Sequence, residues 1–240
     1  MSAPDRVIGR VIENDQVQDY IRIVEGRTAW YERSRRPLLS EVQYRRAKRF
    51  LDVTVCLAAL PFVLLVLAIC WLAIRIDSPG AAFFSQLRTG KGGKRFKMFK
   101  LRTMVINAAE LKEKYLHLNE LTYPDFKITN DPRVTRVGKI LRKTSIDELP
   151  QVFNVLLGDM SLVGPRPTSF SADTYSLWHT ARLAVRPGLS GLWQVSGRAE
   201  LDFDDRLRLD VAYIRNRSFW LDLCIVARTF TSVLSGRGAA

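Results

Sequence analysis

The run from Val53 to Ile74 carries no charged residue over 22 positions, and only Thr54 and Pro61 interrupt its apolar character. Built as a helix, it extends about 33 Å at roughly 1.5 Å per residue. That length matches a bilayer hydrocarbon core of about 30 Å. A chain with such a run must either wrap a soluble core around it or lay it in lipid. The uncharged stretch exceeds an ordinary core helix, so the membrane is the expected environment. It is not a secretory signal peptide: it begins at residue 53 and no small-residue cleavage site follows it.

The flanks bear on how the run meets the bilayer. Arg45, Arg46, Lys48 and Arg49 precede it. Arg75 ends it, and Arg88, Lys91, Lys94, Arg95, Lys97, Lys100 and Arg102 follow with no acidic residue between Arg88 and Arg102. Because both sides are basic, the positive-inside rule selects no orientation for a spanning helix. Entry and exit on one face would satisfy both flanks. Pro61 lacks the N–H that a straight helix uses, and a helix–break–helix hairpin is one concrete form of such a re-entrant segment. Prolines also occur in ordinary spanning helices, so both topologies stand on the residues alone.

Elsewhere the 240 residues suit one domain with a short appendage. A hydrophobic share of 47% and a charged share of 25% exclude wholesale disorder. The formal net charge of +13 calls for an anionic partner, whether nucleic acid, anionic lipid or a phosphorylated substrate. Cys56, Cys70 and Cys224 form neither a metal-ligand cluster nor an even disulfide set.

Residues 1–44 read as a peripheral or mobile extension. Asp77-Ser78-Pro79-Gly80 is a turn. Short strands are expected over 81–86 and 96–101, with glycines between them. Helical periodicity covers 105–118 and 146–157, the latter ended by Gly158. Further helices are expected over 173–183, 203–215 and 219–234, the last an apolar one suited to an interface or the core. The Gly164-Pro165-Arg166-Pro167 segment must be rigid and non-helical.

Asp147 and Glu148 are the densest chemical candidate, adjacent carboxylates close to Arg142 and Lys143. One reading is architectural: Ser145 as N-cap and Glu148 three residues on form a capping box, with Asp147 favouring the helix N-terminus. The other is chemical: a carboxylate among helix donors and arginines stays ionised as a nucleophile or metal ligand, and its neighbour can hold Mg²⁺. Arg102, Arg133, Arg136, Arg142, Arg166, Arg186 and Arg198 lie near rigid turns, where a guanidinium often meets a bidentate oxyanion. The glycines match no phosphate-binding fingerprint. His117 and His179 are isolated and read as structural or surface residues. A nucleic-acid binder fits the charge, but it lacks a zinc, RNP or GXXG signature and leaves the apolar run unexplained.

Several ordered motifs carry a resemblance over about residues 46–235. They are RRAKRFLDV, DSPG, FKMFKLRTM, NDPRVTRVGKILRKTSIDELPQVFNVLLGDMSLVGPRP, VRPGLSGLWQVSGR and YIRNRSFWLDL. The chain resembles the bacterial sugar transferases, monotopic phosphoglycosyl transferases that act on polyprenol phosphate. The resemblance implies transfer of a sugar-1-phosphate from a UDP-sugar, with UDP-glucose or UDP-galactose the expected donor, onto undecaprenyl phosphate with release of UMP. It implies an aspartate nucleophile at Asp147 that forms a covalent phosphosugar intermediate, and Mg²⁺ held with the help of Glu148. It points to Lys100, Arg102, Arg142, Arg166 and Arg198 as substrate-binding cations. It places a membrane break at Pro61, although Leu60 stands where some relatives carry a serine.

The expected architecture is therefore α+β and mostly helical. It comprises an N-terminal extension (1–44), a re-entrant membrane segment (45–75) and a cytosolic catalytic domain with interfacial helices (76–240). With only about 45 residues before the motifs, the chain looks like the small form of the family. The resemblance also implies the cytoplasmic face of a bacterial inner membrane and a first step of exopolysaccharide, capsule or other glycoconjugate synthesis. Implied partners are anionic lipids, later glycosyltransferases of the pathway and a possible second copy, with no nucleic acid. The non-enzymatic alternative is a basic, membrane-docked scaffold of a polysaccharide assembly complex, in which Asp147 and Glu148 only cap a helix.

Overall fold

A computed structural model describes residues 30–33, 39–120, 128–171, 177–196 and 203–234. Among these the protein is mostly helical, with two small β-pairs. A short helix α1 (Trp30–Arg33) precedes α2, which runs from Glu41 to Asp77 over 37 residues. Ser40 starts α2 with a capping box: its hydroxyl accepts from the Gln43 backbone N–H, and the Gln43 side chain accepts from the Ser40 N–H. The helical backbone continues through Leu60 and Pro61, so the expected break is not a gap between two helices. What Pro61 removes is one backbone donor.

One stripe of α2 is buried: Asp52, Cys56, Val63, Leu67, Cys70 and Ile74, recurring at three-, four- and seven-residue intervals. The opposite side stays apolar and exposed, with Phe50, Phe62, Leu65, Ile69, Leu72 and Ile76 each more than half accessible. A soluble core helix would bury that side. An apolar face this large needs another apolar phase or partner, and the helix is long and apolar enough to anchor the chain in a membrane.

Both ends of α2 are tied to the rest of the molecule. Near its start, Tyr44 and Lys48 donate to Asp222, each at 2.9 Å. Arg49 donates to the carbonyls of Val155 and Leu156 at 2.6 and 2.8 Å, and Asp52 accepts from the Leu162 N–H at 3.0 Å. At its end, Asp77 accepts from the Val137 N–H at 3.1 Å.

The strands β1 (Phe83–Thr89) and β2 (Arg95–Leu101) form an antiparallel hairpin pairing Phe83 with Leu101 and Thr89 with Arg95. β1 lies two to three residues later than the first expected strand, and β2 matches the second within one residue. The expected helix over 105–118 shortens to α3 (Leu111–Lys114) and one 3₁₀ turn. Next come α4 (Arg136–Thr144), a 3₁₀ turn over Ile146–Glu148 and α5 (Gln151–Leu157), ended by Gly158 at φ 92°. Strands β3 (Ser161–Val163) and β4 (Gly188–Ser190) pair in parallel. The segment Leu177–Ala184 is 3₁₀ rather than α-helical, and residues 172–176 lie outside the described part. The short α6 (Leu192–Ser196) leads to α7 (Phe203–Asn216) and α8 (Phe219–Leu234), close to the expected bounds.

Two apolar clusters organise the interior. One joins the buried stripe of α2 to Met98 and Leu101 of β2, Leu141 of α4, and Val152 and Val155 of α5. The other gathers Tyr31, Leu209, Tyr213, Leu221 and Ile225 around α7 and α8. Tyr31 is wholly buried, so part of the N-terminal segment belongs to the core. Asp222 of α8 joins α2 to α7, accepting from Tyr44, Lys48 and Tyr213.

Candidate active site

The carboxylates sit where α4 gives way to α5. Ser145 takes the left-handed conformation at φ 56° and turns the chain sharply. Its side chain makes no capping hydrogen bond, so the capping-box reading of Ser145 and Glu148 fails. The reason is geometric: a left-handed residue cannot present its hydroxyl as an extended N-cap does. The carboxylate that would have closed the box turns to cations instead.

Glu148 accepts from Lys100 Nζ at 2.8 Å and from both outer nitrogens of Arg166, at 2.5 and 3.2 Å. Burial works against its charge, but Arg166 and Lys100 outweigh it and hold its pKa well below the usual carboxylate range. Asp147 is buried beside it, with Lys100 Nζ at 3.6 Å from Oδ2. Burial raises the Asp147 pKa and Glu148 adds to the rise, against the pull of Lys100, Arg142 and Arg166. Adjacent carboxylates thus differ in environment: one is clamped and strongly acidic, the other accepts no hydrogen bond among the described residues.

Each cation reaches the pair from a different element. Lys100 comes from β2, one residue before its end. Arg166 comes from the Gly-Pro-Arg-Pro segment, whose rigidity fixes its direction. That segment is fastened to the hairpin: the Thr89 N–H donates to the Thr168 carbonyl at 3.0 Å. Arg95 donates to the carbonyls of Ser169 and Phe170 at 3.0 and 2.9 Å. Arg182 reaches the Arg166 carbonyl and pairs with buried Asp210 at 2.6 Å. A cleft beside Arg166 is lined by Thr89, Gly90, Thr168, Arg182 and Pro187.

Arg142 contributes its charge near Asp147, and its Nε donates to Thr103 Oγ1 at 2.9 Å. Arg102 goes elsewhere. Its guanidinium donates to the carbonyls of Ser78 and Pro79 and so holds the turn after α2. Its expected role in substrate binding has no counterpart in these contacts. Arg198 lies outside the described residues. Arg133 is engaged by Asp131 through paired hydrogen bonds at 2.9 and 2.6 Å.

Sequence reasoning missed Thr103, which accepts from Arg142, and Asn154, whose amide bonds the backbone of β2. A signal was available in each case: Thr103 sits inside FKLRTM, and Asn154 is the one polar residue between Val152 and Leu157.

The carboxylate pair fits a hard divalent cation. Asp147 keeps its oxygen lone pairs, and Glu148 retains one of its roughly four acceptor sites. Among the described residues no third acidic or imidazole group joins them, so the remaining ligands of a bound Mg²⁺ would come from phosphate and water, as that ion prefers.

Comparison with known proteins locates this arrangement. Residues 43–236 match the family described as bacterial sugar transferase. The chain is 46% identical over 195 residues to the galactosyl transferase CpsE of Streptococcus agalactiae, covering 80% of this chain and 43% of that protein. It is 46% identical over 202 residues to the UDP-glucose:undecaprenyl-phosphate glucose-1-phosphate transferase of Caulobacter vibrioides, covering 78% and 70%. It is 40% identical over 204 residues to the exopolysaccharide production protein ExoY of Rhizobium meliloti, covering 80% and 88%. The chain thus spans less than half of some curated relatives and most of others. The matched segment contains the whole cation-clamped carboxylate site, and the chain belongs to the bacterial sugar transferase family.

Proposed function

We propose that the protein transfers a sugar-1-phosphate from a UDP-sugar to undecaprenyl phosphate at the cytoplasmic face of a bacterial inner membrane. The observation that carries this reading is the unequal carboxylate pair beside an apolar helix. Glu148 is gripped by Lys100 and Arg166, while Asp147 accepts no hydrogen bond among the described residues.

In the proposed reaction an Asp147 oxygen attacks the β-phosphorus of the UDP-sugar. The bond from that phosphorus to the bridging oxygen breaks, and UMP leaves with the electron pair. The sugar-1-phosphate is then held as an acyl phosphate on Asp147. A phosphate oxygen of undecaprenyl phosphate attacks the same phosphorus, and the Asp147 carboxylate departs unchanged. Anionic substrates must approach an anionic nucleophile, so Lys100, Arg142 and Arg166 offset the repulsion and steady the charge that develops on the phosphoryl oxygens. Mg²⁺, held by Asp147 and Glu148, would supply further neutralisation of the diphosphate.

The bonds at both ends of α2 support a re-entrant path. Tyr44, Lys48, Arg49 and Asp52 at one end and Asp77 at the other all bind one folded unit. The exposed apolar side of α2 would sink into a single leaflet, and the flanking basic residues would meet anionic headgroups. UDP-glucose and UDP-galactose are the expected donors, in keeping with the names of the similar proteins.

The test is UMP release across a panel of UDP-sugars, with undecaprenyl phosphate and Mg²⁺ present. Turnover should require the lipid phosphate and identify the sugar. Asp147→Asn should fold normally and lose at least about 10³-fold in turnover, as removal of a covalent nucleophile does. Wild-type-like turnover in that variant would overturn the role of Asp147. Absence of UMP release with every donor would overturn the reaction.

A further inference from the structure

Asn154 is wholly buried on α5, and its side-chain amide is spent entirely on the backbone of β2. The Phe99 N–H donates to Oδ1 at 2.9 Å, and Nδ2 donates to the Lys97 carbonyl at 2.8 Å. The amide orientation is forced, because an N–H faces one end and a carbonyl the other. One edge of β2 is paired with β1. Asn154 satisfies backbone groups on the edge that β1 leaves open and acts there as a one-residue strand. Its own carbonyl accepts from Gly158, Asp159 and Met160 at 3.1, 3.1 and 3.2 Å, which locks it to the end of α5. The next residue along β2 is Lys100, whose Nζ lies 2.8 Å from Glu148 and 3.6 Å from Asp147.

We propose that Asn154 is the positioning residue for Lys100. It fixes the height of β2 against the α4–α5 connection and thereby the distance of the ammonium from both carboxylates. The chain needs such a device because Lys100 and the carboxylates sit on separate elements, 47 and 48 residues apart. A charged side chain has several flexible bonds, and its reach is useful only if its backbone is held. This inference rests on the phosphotransfer reading for its kinetic consequence, but the placement of Lys100 is testable without turnover.

The experiment uses the full chain in detergent or lipid, with two variants. Asn154→Ser shortens the amide to a hydroxyl. Asn154→Asp keeps the acceptor for Phe99 but sets an oxygen against the Lys97 carbonyl. In variants with wild-type far-UV dichroism, acetic anhydride labelling of Lys100, read by mass spectrometry against exposed Lys97, should rise at least about fivefold as the ion pairs loosen. Turnover should fall about 10- to 100-fold with a much smaller change in KM for the UDP-sugar, as expected for misplacement near 1 Å. In a Lys100→Ala background, Asn154→Ser should cause little further loss, since both changes remove the same interaction.

Unchanged Lys100 labelling in a folded variant would overturn the proposal, as would multiplicative kinetic losses in the double variant. Failure of both variants to fold would assign Asn154 to folding and also overturn it. If the wild type releases no UMP, the reaction reading fails while the labelling result still decides the role of Asn154.

Discussion

Asp147 and Glu148 are neighbours in one 3₁₀ turn, yet only Glu148 is directly clamped by two cations. The division suits a nucleophile beside an electrostatic anchor, because adjacent carboxylates with different partners can hold different protonation states. Lys100 is the residue common to both. An attacking Asp147 must be ionised, and its pKa lies above the ordinary aspartate value because it is buried. Lys100 pulls that value down. In Lys100→Met the pull disappears, the Asp147 pKa rises further, and the acid limb of kcat/KM should move to higher pH. Initial rates of UMP release from pH 5 to 8 would measure this. An unmoved limb, or one displaced to lower pH, would show that Lys100 does not act on the nucleophile. The motifs made the carboxylates, Lys100 and Arg166 legible in the sequence. Arg102 bonds the Ser78 and Pro79 carbonyls, for a guanidinium beside a turn can bind turn carbonyls as readily as an oxyanion, and composition does not distinguish them. Thr103 and Asn154 carry no charge and act through neighbours, so their sequence signals, a motif position and a polar residue in an apolar stretch, do not by themselves mark their partners.

At the scale of elements, the site depends on how closely α4 approaches the end of β2. Gly138 makes that approach possible: a Cβ there would lie 2.1 Å from the Thr103 carbonyl oxygen, and the obstacle is backbone on both sides. The contact is reinforced by the Thr135 N–H, which donates to the same carbonyl at 3.1 Å. Gly138→Ala should therefore push α4 outward and cost about 1–3 kcal/mol, the usual range for overpacking. Thermal unfolding in detergent should show a lower midpoint, by about 2–4 °C per kcal/mol for a chain of this size. Turnover should fall beyond the loss of folded protein, because Arg142 rides on α4 and bonds Thr103 from it. A variant as stable and active as the wild type would mean that the helix and strand are free to separate. The periodicity of α7 and α8 located both helices well, since long amphipathic segments state their own phase. The segment 146–157 is not one helix: it begins as a 3₁₀ turn over Ile146–Glu148, and Pro150 stands before the short helix that starts at Gln151.

Across the whole molecule, α2 sets the relation of the site to the bilayer. At roughly 1.5 Å per residue its 37 residues extend to about 55 Å if straight, well beyond a hydrocarbon core of about 30 Å. Its length alone would permit a crossing with both ends in water. The contacts argue otherwise, for a crossing helix with its N-terminal half on Asp222 and Val155 would leave Asp77 on the far side. Asp77 instead accepts from Val137 of α4, which packs in the same apolar cluster as α5. Under the proposed re-entrant path both ends of α2 share a side, in keeping with their bonds to Asp222 and to Val137. Single cysteines at Arg45 and at Lys91, in a background with Cys56, Cys70 and Cys224 replaced, provide the measurement. In inverted membrane vesicles a membrane-impermeant maleimide should modify both positions. In intact spheroplasts it should modify neither. Labelling of one position in each preparation would establish a spanning helix and remove the re-entrant path. The basic flanks then acquire a joint role, since residues on either side of the apolar run would meet the same anionic leaflet from which the lipid phosphate enters.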